Sequence, residues 1–302
     1  MTGRAGLTAP TGRICRRLPV ASSRRHVTIS FMPVHYELIE LPMNQSFRLL
    51  CWKDNVSEVD VLTGPGQSEP LAGAGERWHA HPAMELTLVL TGSGTRFIGD
   101  SIAPVEPPEL LLIGPDVPHY WRGLSGSSGY AIQFEFGPHR PLWKVAEAGV
   151  LRTLWDRSAF GLLFTDRTRE DATEWIRGMA GENPLRRLAT LLRVLDRLAS
   201  APDEERTQLC RKAFRLAAND PHRFAIEQAI HLIVEESQED LSLIDVARTV
   251  HMSRATFCRH FRRLTGKTFV EFLNDVRLDH ARRLLVEGAL TVSQVAAEAG
   301  FS

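Results

Sequence analysis

Two groups of residues in this chain have the types and the spacing to do chemistry. The first is His79 and His81, followed by Glu85 and later by His119. Two histidines two residues apart on a strand point to the same face, so both can reach one ion, and Glu85 arrives on the next turn of the chain. The second group is basic. Residues 254–267 hold four Arg, one Lys, one His and no acid. Read as a helix, this stretch puts Phe257, Phe261 and Leu264 on one face and Ala255, Arg259 and Arg262 on the other, flanked by Cys258 and Arg263. A helix about 10 Å across fits the DNA major groove, where Arg can read guanine edges and Lys or Arg can neutralise phosphates. The alternative is a solvated basic face on a packed helix pair.

The elements that must position the basic face are two short helices. Leu243, Val246, Ala247 and Val250 recur at helical spacing behind Ser242 as N-cap. A break at His251, Met252 and Ser253 follows, Ser253 caps the second helix, and Gly266 ends it. The small Ala247 lets two steeply crossing helices come close, which is the spacing of a helix-turn-helix. His251 stands at the turn, where the backbone needs a residue tolerated near the left-handed region.

Composition sets the frame. At 302 residues the chain is long enough for two or three domains. Its 36 basic and 36 acidic residues cancel, so no global charge draws it to nucleic acid and any DNA affinity must be local and salt-sensitive. Cys15, Cys51, Cys210 and Cys258 show no metal-like spacing, which suits a reducing cytoplasm. No run of eighteen apolar residues exists to span a membrane. Residues 1–36 carry six Arg and no acid, a composition shared with organellar transit peptides. A disordered basic tail over 1–33 is expected instead, with Met32 as the candidate start, because apolar patterning begins only there.

From Val34 to about Phe136 short apolar runs alternate with Gly and Pro, covering Phe47–Trp52, Glu85–Leu90, Arg96–Ile98, Leu110–Ile113 and Tyr130–Phe136. Strands this close without helices between them predict a sandwich or barrel. Within them the chain reads Gly73, five residues, His79-Ala-His81, three residues, Glu85, six residues, Gly92, and later Gly-Pro-Asp-Val-Pro-His119. This resembles the cupin barrel, a double-stranded β-helix. The first cupin motif is met in full. The second is met in part, since Asp116 stands where glycine is usual and Gly123 where asparagine is usual. The resemblance implies a metal set of His79, His81, Glu85 and His119, able to hold Fe(II), Mn(II), Ni(II) or Zn(II). The favoured expectation is that no cofactor is required and the same residues line an effector pocket together with Trp78 and Trp121; merely structural histidines are the third alternative. Trp78, Tyr120 and Trp121 could stack on a sugar or aromatic ligand, although aromatics in a barrel more often belong to the core.

Beyond Gly137 helical periodicity takes over. Leu142–Trp155, Arg169–Met179 and Leu185–Leu198 read as helices, with Gly161-Leu-Leu-Phe164 a strand-like interruption. The stripe Leu188, Leu191, Leu192, Leu195 and Leu198 fits either internal packing or a subunit contact. Residues 200–221 read as a partly helical linker, and a support helix with Ile226, Ala229, Ile230 and Ile233 precedes the helix-turn-helix. A long helix over 268–287 follows it. Residues 291–302 then repeat the first unit at an offset of 49, with Val295 on Val246, Ala296 on Ala247 and Gly300 on His251. Ser302 falls where the second recognition helix would be capped, so Val295, Ala299 and Phe301 are expected to lack packing partners.

With both units in place, the chain resembles the AraC/XylS transcription regulators of the cupin-sensor branch over about residues 34–302. The implied architecture is α+β and multidomain: a basic tail 1–33, a cupin sensor 34–140, a helical dimerisation and linker region 141–221, and an all-α tandem helix-turn-helix domain 222–302 with its second unit incomplete. The resemblance implies a cytoplasmic homodimer, controlled by a small-molecule effector such as a sugar, that binds double-stranded promoter DNA and acts on RNA polymerase. Ala255, Cys258 and Arg259 would read bases, and Arg254 and Arg262 would contact phosphates beside Arg263. The competing class is a metal-dependent cupin enzyme, a dioxygenase or sugar isomerase with a helical appendage. No further acid/base pair can be placed near its site, so the regulator, not an enzyme, is the expectation.

Overall fold

The structure is a computed structural model that describes residues 37, 39–43, 45–214 and 221–301. The expected basic tail lies outside the described residues. All that follows concerns the compact unit spanning Pro33–Ser302.

Nine strands among the described residues form one antiparallel sheet: β1 (Phe47–Asp54), β2 (Glu58–Gly64), β3 (Gln67–Ala72), β4 (Met84–Ile98), β5 (Ser101–Pro104), β6 (Glu109–Ile113), β7 (His119–Phe134), β8 (Leu162–Phe164) and β9 (Arg206–Gln208). Their order is β3-β2-β1-β7-β4-β6-β8-β9, with β5 paired to β4. β4 and β7 pair along most of their length, but the register shifts repeatedly between Val89 and Thr95. Such shifts bend a strand and strengthen its twist. The early part of β4 therefore pairs with β6 while its end pairs with β5, and the sheet rolls around an interior as the cupin-type barrel predicts.

The two faces of the roll are covered differently. β6, Glu109–Ile113, is buried at every residue, because α1 (Val150–Ser158), α2 (Asp166–Gly178) and α3 (Pro184–Ala199) pack on its outer side. Leu191, Leu195 and Leu198 of the expected leucine stripe join this core. Leu192 and Leu185 face away and are exposed. Arg187 of α3 is fully buried and donates to the carbonyls of Met179, Ala180 and Leu62, which ties α3 to β2.

Three expectations need correction here. The first helix begins at Val150, after two short 3-10 turns around Pro141. The strand-like interruption expected at residues 161–164 is β8, but it joins the barrel sheet instead of standing apart in the region 141–221, and the unexpected β9 extends that sheet further. Within the expected linker, Cys210 and Phe214 are buried against Gly99 on the barrel. β9, with the sequence Arg-Thr-Gln and no buried residue, carries no apolar period to separate it from a loop.

The C-terminal part is all helical: α4 (Arg223–Glu235), α5 (Leu243–Thr249), α6 (Arg254–Thr265), α7 (Phe269–Glu287) and α8 (Val292–Glu298). Ser242 and Ser253 cap α5 and α6 as expected, and Gly266 closes α6 in the left-handed region at φ 76°. Thr268 and Thr291 form capping boxes with Glu271 and Gln294. One apolar cluster holds α4, α5, α6 and α7 together and also includes Trp78, Phe97 and Tyr120 of the barrel. At its edge Thr95 of β4 donates to Asp279 of α7, a carboxylate buried in the contact. No helix among the described residues is long and apolar enough to cross a membrane.

Candidate functional site

His79, His81, Glu85 and His119 converge. One ligand atom from each lies within 4.8 Å of the others, and all four side chains are buried. Two chain segments meet to bring this about: the backbone N–H of His79 donates to His119 O at 3.1 Å and that of His119 to His79 O at 2.9 Å. The same face of that bridge receives Glu85 from the start of β4.

The ring tautomers follow from the partners. Nδ1 of His79, His81 and His119 lies 2.8, 3.0 and 2.9 Å from the carbonyls of Arg77, Ala83 and Val117. A carbonyl only accepts, so each Nδ1 carries hydrogen and each Nε2 points to the common centre. Carbonyl anchoring of the far nitrogen is the usual support of a metal-ligating histidine. Nε2 of His119 is buried without a hydrogen-bond partner, while His81 Nε2 lies 3.1 Å from Glu85 Oε2. Glu85 also accepts from Thr87 Oγ1 at 2.6 Å and Gln133 Nε2 at 2.7 Å. An orphaned imidazole nitrogen beside a hydrogen-bonded carboxylate and two more imidazoles fits a divalent first-row ion.

Electrostatics separate His79, His81 and Glu85. Burial, followed by the charges of His119 and His81, holds His79 well below the usual histidine range. Burial acts in the same direction on His81, but its hydrogen bond to Glu85 and that carboxylate's charge outweigh it and raise the group. Burial would raise Glu85, yet the imidazoles of His119, 3.8 Å from its Oε2, and His81, at 3.1 Å, hold it well below the ordinary carboxylate range.

Beside this cluster lies a cavity of about 50 Å³. His79, Glu85, Thr87 and Trp121 line it, with Arg48, Trp52 and Gln133 from β1 and β7. Of the sequence-predicted site residues, His79, Glu85 and Trp121 face this cavity, and His81 and His119 complete the ligand cluster behind them. Trp78 does not belong. It lies on the opposite face of its segment, 6.4 Å from the ring of Phe272 in α7, and so is a core residue between barrel and helices. Tyr120 is placed likewise, 5.0 Å from Phe97. Residues the pattern missed are Glu37, Arg48, Thr87 and Gln133. The strand period did carry a signal, since Arg48, Leu50 and Trp52 share one parity and all line the cavity.

The family glycines have physical reasons. A Cβ on Gly73 would sit 2.1 Å from Val56 O at the cavity lip. The two departures from the second motif are conformationally matched: Asp116 and Gly123 both adopt the left-handed region, at φ 60° and 59°.

The basic face of α6 is presented as expected. Phe257, Phe261 and Leu264 are buried, whereas Arg254, Ala255, Cys258, Arg259, Arg262 and Arg263 are exposed. Arg263 also lies 2.7 Å from His260 Nδ1. His251 takes φ 55° at the turn, and Met252 N donates to Ala247 O at 2.9 Å. The repeat at offset 49 is structural too: Gly300 has φ 84°, and Phe301 N donates to Ala296 O at 2.9 Å. The expectation that Val295, Ala299 and Phe301 lack partners fails for the first two, which are 2% and 0% exposed, and Phe301 is half-buried. Val295 and Ala299 are enclosed because α8 folds back on α7 and Gly300 packs against Ser237 and Gln238 after α4.

Comparison with known proteins addresses this end of the chain. Residues 246–302 match the helix-turn-helix domain family. The "Uncharacterized HTH-type transcriptional regulator YidL" of Escherichia coli (strain K12) is 39% identical over 82 residues, 27% of this chain and 28% of the relative. The match thus spans under a third of that relative's length. The "Uncharacterized HTH-type transcriptional regulator YdeC" of Bacillus subtilis (strain 168) is 22% identical over 229 residues, 74% of this chain and 78% of that protein. Among solved structures, ToxT from Vibrio cholerae aligns over 85% of this chain and 91% of its own at 12% identity, with a TM-score of 0.32, too loose a likeness to bear on fold or function. These matches show a helix-turn-helix domain at the C-terminal end of the chain, shared with proteins named as HTH-type transcriptional regulators.

Proposed function

We propose that the chain is a sequence-specific DNA-binding transcription regulator, acting in the cytoplasm, whose barrel senses a small molecule. One observation carries the reading: the interior site and the surface that holds the DNA-reading helices are opposite faces of the same two segments. His79 and His119 face inward at their mutual bridge. Trp78 and Tyr120, one residue away on each segment, face outward into the cluster with Phe97 and Phe272. A molecule seated against His79 and Trp121 that displaces either segment changes how α7 packs, and α7 joins the two helix-turn-helix starts. Such a molecule controls DNA binding to the extent that it binds the two arrangements unequally.

The reading includes a divalent metal at His79, His81, Glu85 and His119, supported by the three carbonyl-anchored rings and the orphaned Nε2 of His119. When bound, the ion supplies a Lewis-acidic contact for an oxygen of the effector. It includes two protein partners, a second copy of the chain and RNA polymerase, with exposed Leu185 and Leu192 of α3 as the surface for the first. The same four-ligand set is the one feature that favours a metal-dependent enzyme. Turnover of candidate substrates by metal-loaded protein would support that second reading.

The test is selection of duplexes from a random pool by the full chain. Enrichment of a common motif that Arg259→Ala abolishes is expected. Replacing Arg254 or Arg262 by Ala should weaken binding to all duplexes alike and lower the salt slope by about one unit. Recovery of unenriched sequence, with no loss on replacing these arginines, overturns the reading.

A further inference from the structure

The segment that leads from the barrel toward the helices carries two cations beside the last turn of α6. We propose that Arg211 and Lys212 grip the phosphate backbone of the duplex that α6 reads, extending its footprint past Arg262 onto the barrel side of the chain. This rests on the DNA reading of α6 given above. The backbone of the segment is pinned on both sides of the two residues. Leu209 N donates to Gly161 O at 3.0 Å, Cys210 N to Phe160 O at 2.9 Å, Arg211 N to Asp100 Oδ1 at 3.1 Å and Phe214 N to Ala159 O at 2.8 Å. Cys210 and Phe214 are buried on the barrel, while Arg211 and Lys212 stand out to solvent. The end of α6 is seated at the same place, since a Cβ on Gly266 would lie 2.7 Å from Asp100 Cβ, 3.1 Å from Phe214 Cζ and 3.2 Å from Lys212 Cε.

The two side chains are available to a ligand. Lys212 Nζ donates to the carbonyl of Arg262 at 3.4 Å, which uses one of its three hydrogens. The guanidinium of Arg211 makes no hydrogen bond among the described residues. The acid that feels both Arg211 and Arg262 is Glu271, whose carboxylate accepts from Thr268 N at 2.7 Å in the capping box. That hydrogen bond, ahead of the charges of Arg262 and Arg211, holds Glu271 below the ordinary carboxylate range. One carboxylate beside Arg211, Lys212 and Arg262 leaves the patch positive. A fixed row of cations continuous with the basic face of α6 suits a phosphate backbone, which asks for charge and donors but carries no base to be read. The alternative for Lys212 is a purely structural one, an ammonium at the carbonyl end of α6 that steadies the helix. The two roles differ in what salt does to binding.

The experiment titrates the full chain, by fluorescence anisotropy over a series of KCl concentrations, into a labelled duplex recovered from the random-pool selection and into its scrambled counterpart. Arg211→Gln and Lys212→Gln should each weaken binding to both duplexes by about three- to tenfold at about 0.1 M salt, and lower the slope of log K against log salt by about one unit. The ratio between the two duplexes should stay as it was, because a backbone contact carries no sequence information. Arg211→Lys and Lys212→Arg keep the charge and should keep most of the slope. Circular dichroism establishes that each variant is folded, and if one Gln variant is not, the other carries the test. An unchanged slope in a folded Gln variant, a loss confined to the selected duplex, or an equal loss in the charge-keeping variants overturns the proposal. No duplex binding by the unaltered chain overturns the DNA reading and this proposal together, whereas binding by the unaltered chain with the slope kept in the Gln variants overturns this proposal alone.

Discussion

The contact between Trp78 and Phe272 makes a quantitative prediction about how barrel and helices are joined. Their rings are 6.4 Å apart at 76°, an edge-to-face pair within the favourable range. Trp78 has one other such partner, Phe97 at 6.5 Å, while Phe272 also meets Phe97 at 6.3 Å and Phe261 at 5.5 Å. Trp78→Leu and Phe272→Leu each keep an apolar side chain and lose the ring. Each is expected to cost about 1–3 kcal/mol, Phe272→Leu the more because it loses three ring contacts and not two. Only one contact is common to both, so the double variant should be less destabilised than the sum by about 0.5–1.5 kcal/mol. Urea unfolding followed by near-ultraviolet circular dichroism measures all four proteins. Additivity within about 0.3 kcal/mol would refute the pairing, and with it the route from cavity to α7.

Three further outcomes are expected. His251 holds a left-handed conformation at φ 55°, so His251→Gly should raise stability by up to about 1 kcal/mol, the relieved strain being partly offset by the entropy of glycine; a loss of more than about 1 kcal/mol in equilibrium unfolding contradicts this. Arg187→Met strips the donors from three carbonyls, that of Met179 buried and those of Leu62 and Ala180 partly so, and should cost about 3 kcal/mol, with a loss under about 1 kcal/mol counting against the tie between α3 and β2. In a Cys15→Ser chain, iodoacetamide at mildly alkaline pH should alkylate exposed Cys258 long before Cys210. Burial, followed by the charge of Asp100, pushes the Cys210 thiol up to about 12, so almost none of it is thiolate; equal labelling rates in a mass-spectrometric time course would show that the packing of residues 209–214 on the barrel is wrong.

The parts of this fold that could be read from sequence are those fixed by local geometry. Ser242, Ser253 and Gly266 announce their helix ends because a cap is a hydrogen bond to a residue two or three positions away. The offset of 49 survives into the hydrogen bonds for the same reason, each being closed within one turn. The cavity was legible only where a motif carried it. Arg48 and Gln133 are 85 residues apart and meet through the register of β1 against β7, which no local pattern supplies. β2 and β3 also escaped, since β3 is exposed at five of six positions and lacks an apolar stripe.

The misplacement of Trp78 has a sharper lesson. The alternation that puts His79 and His81 on one face also puts Trp78 on the other, so the rule used to build the ligand set already excluded it from the pocket. That rule likewise separates Tyr120 from His119 and keeps Trp121 with it. It says that Trp78 and Tyr120 need an apolar cover on the outer face but not what provides it, because the cover, Phe272, lies nearly two hundred residues further along. Once α7 is in place, one strand segment has two obligations. A change at residues 78–81 is then felt on both sides of the sheet. DNA-binding defects in that segment should therefore be assigned to ligand contact only when the fit of α7 against Trp78 has been measured separately.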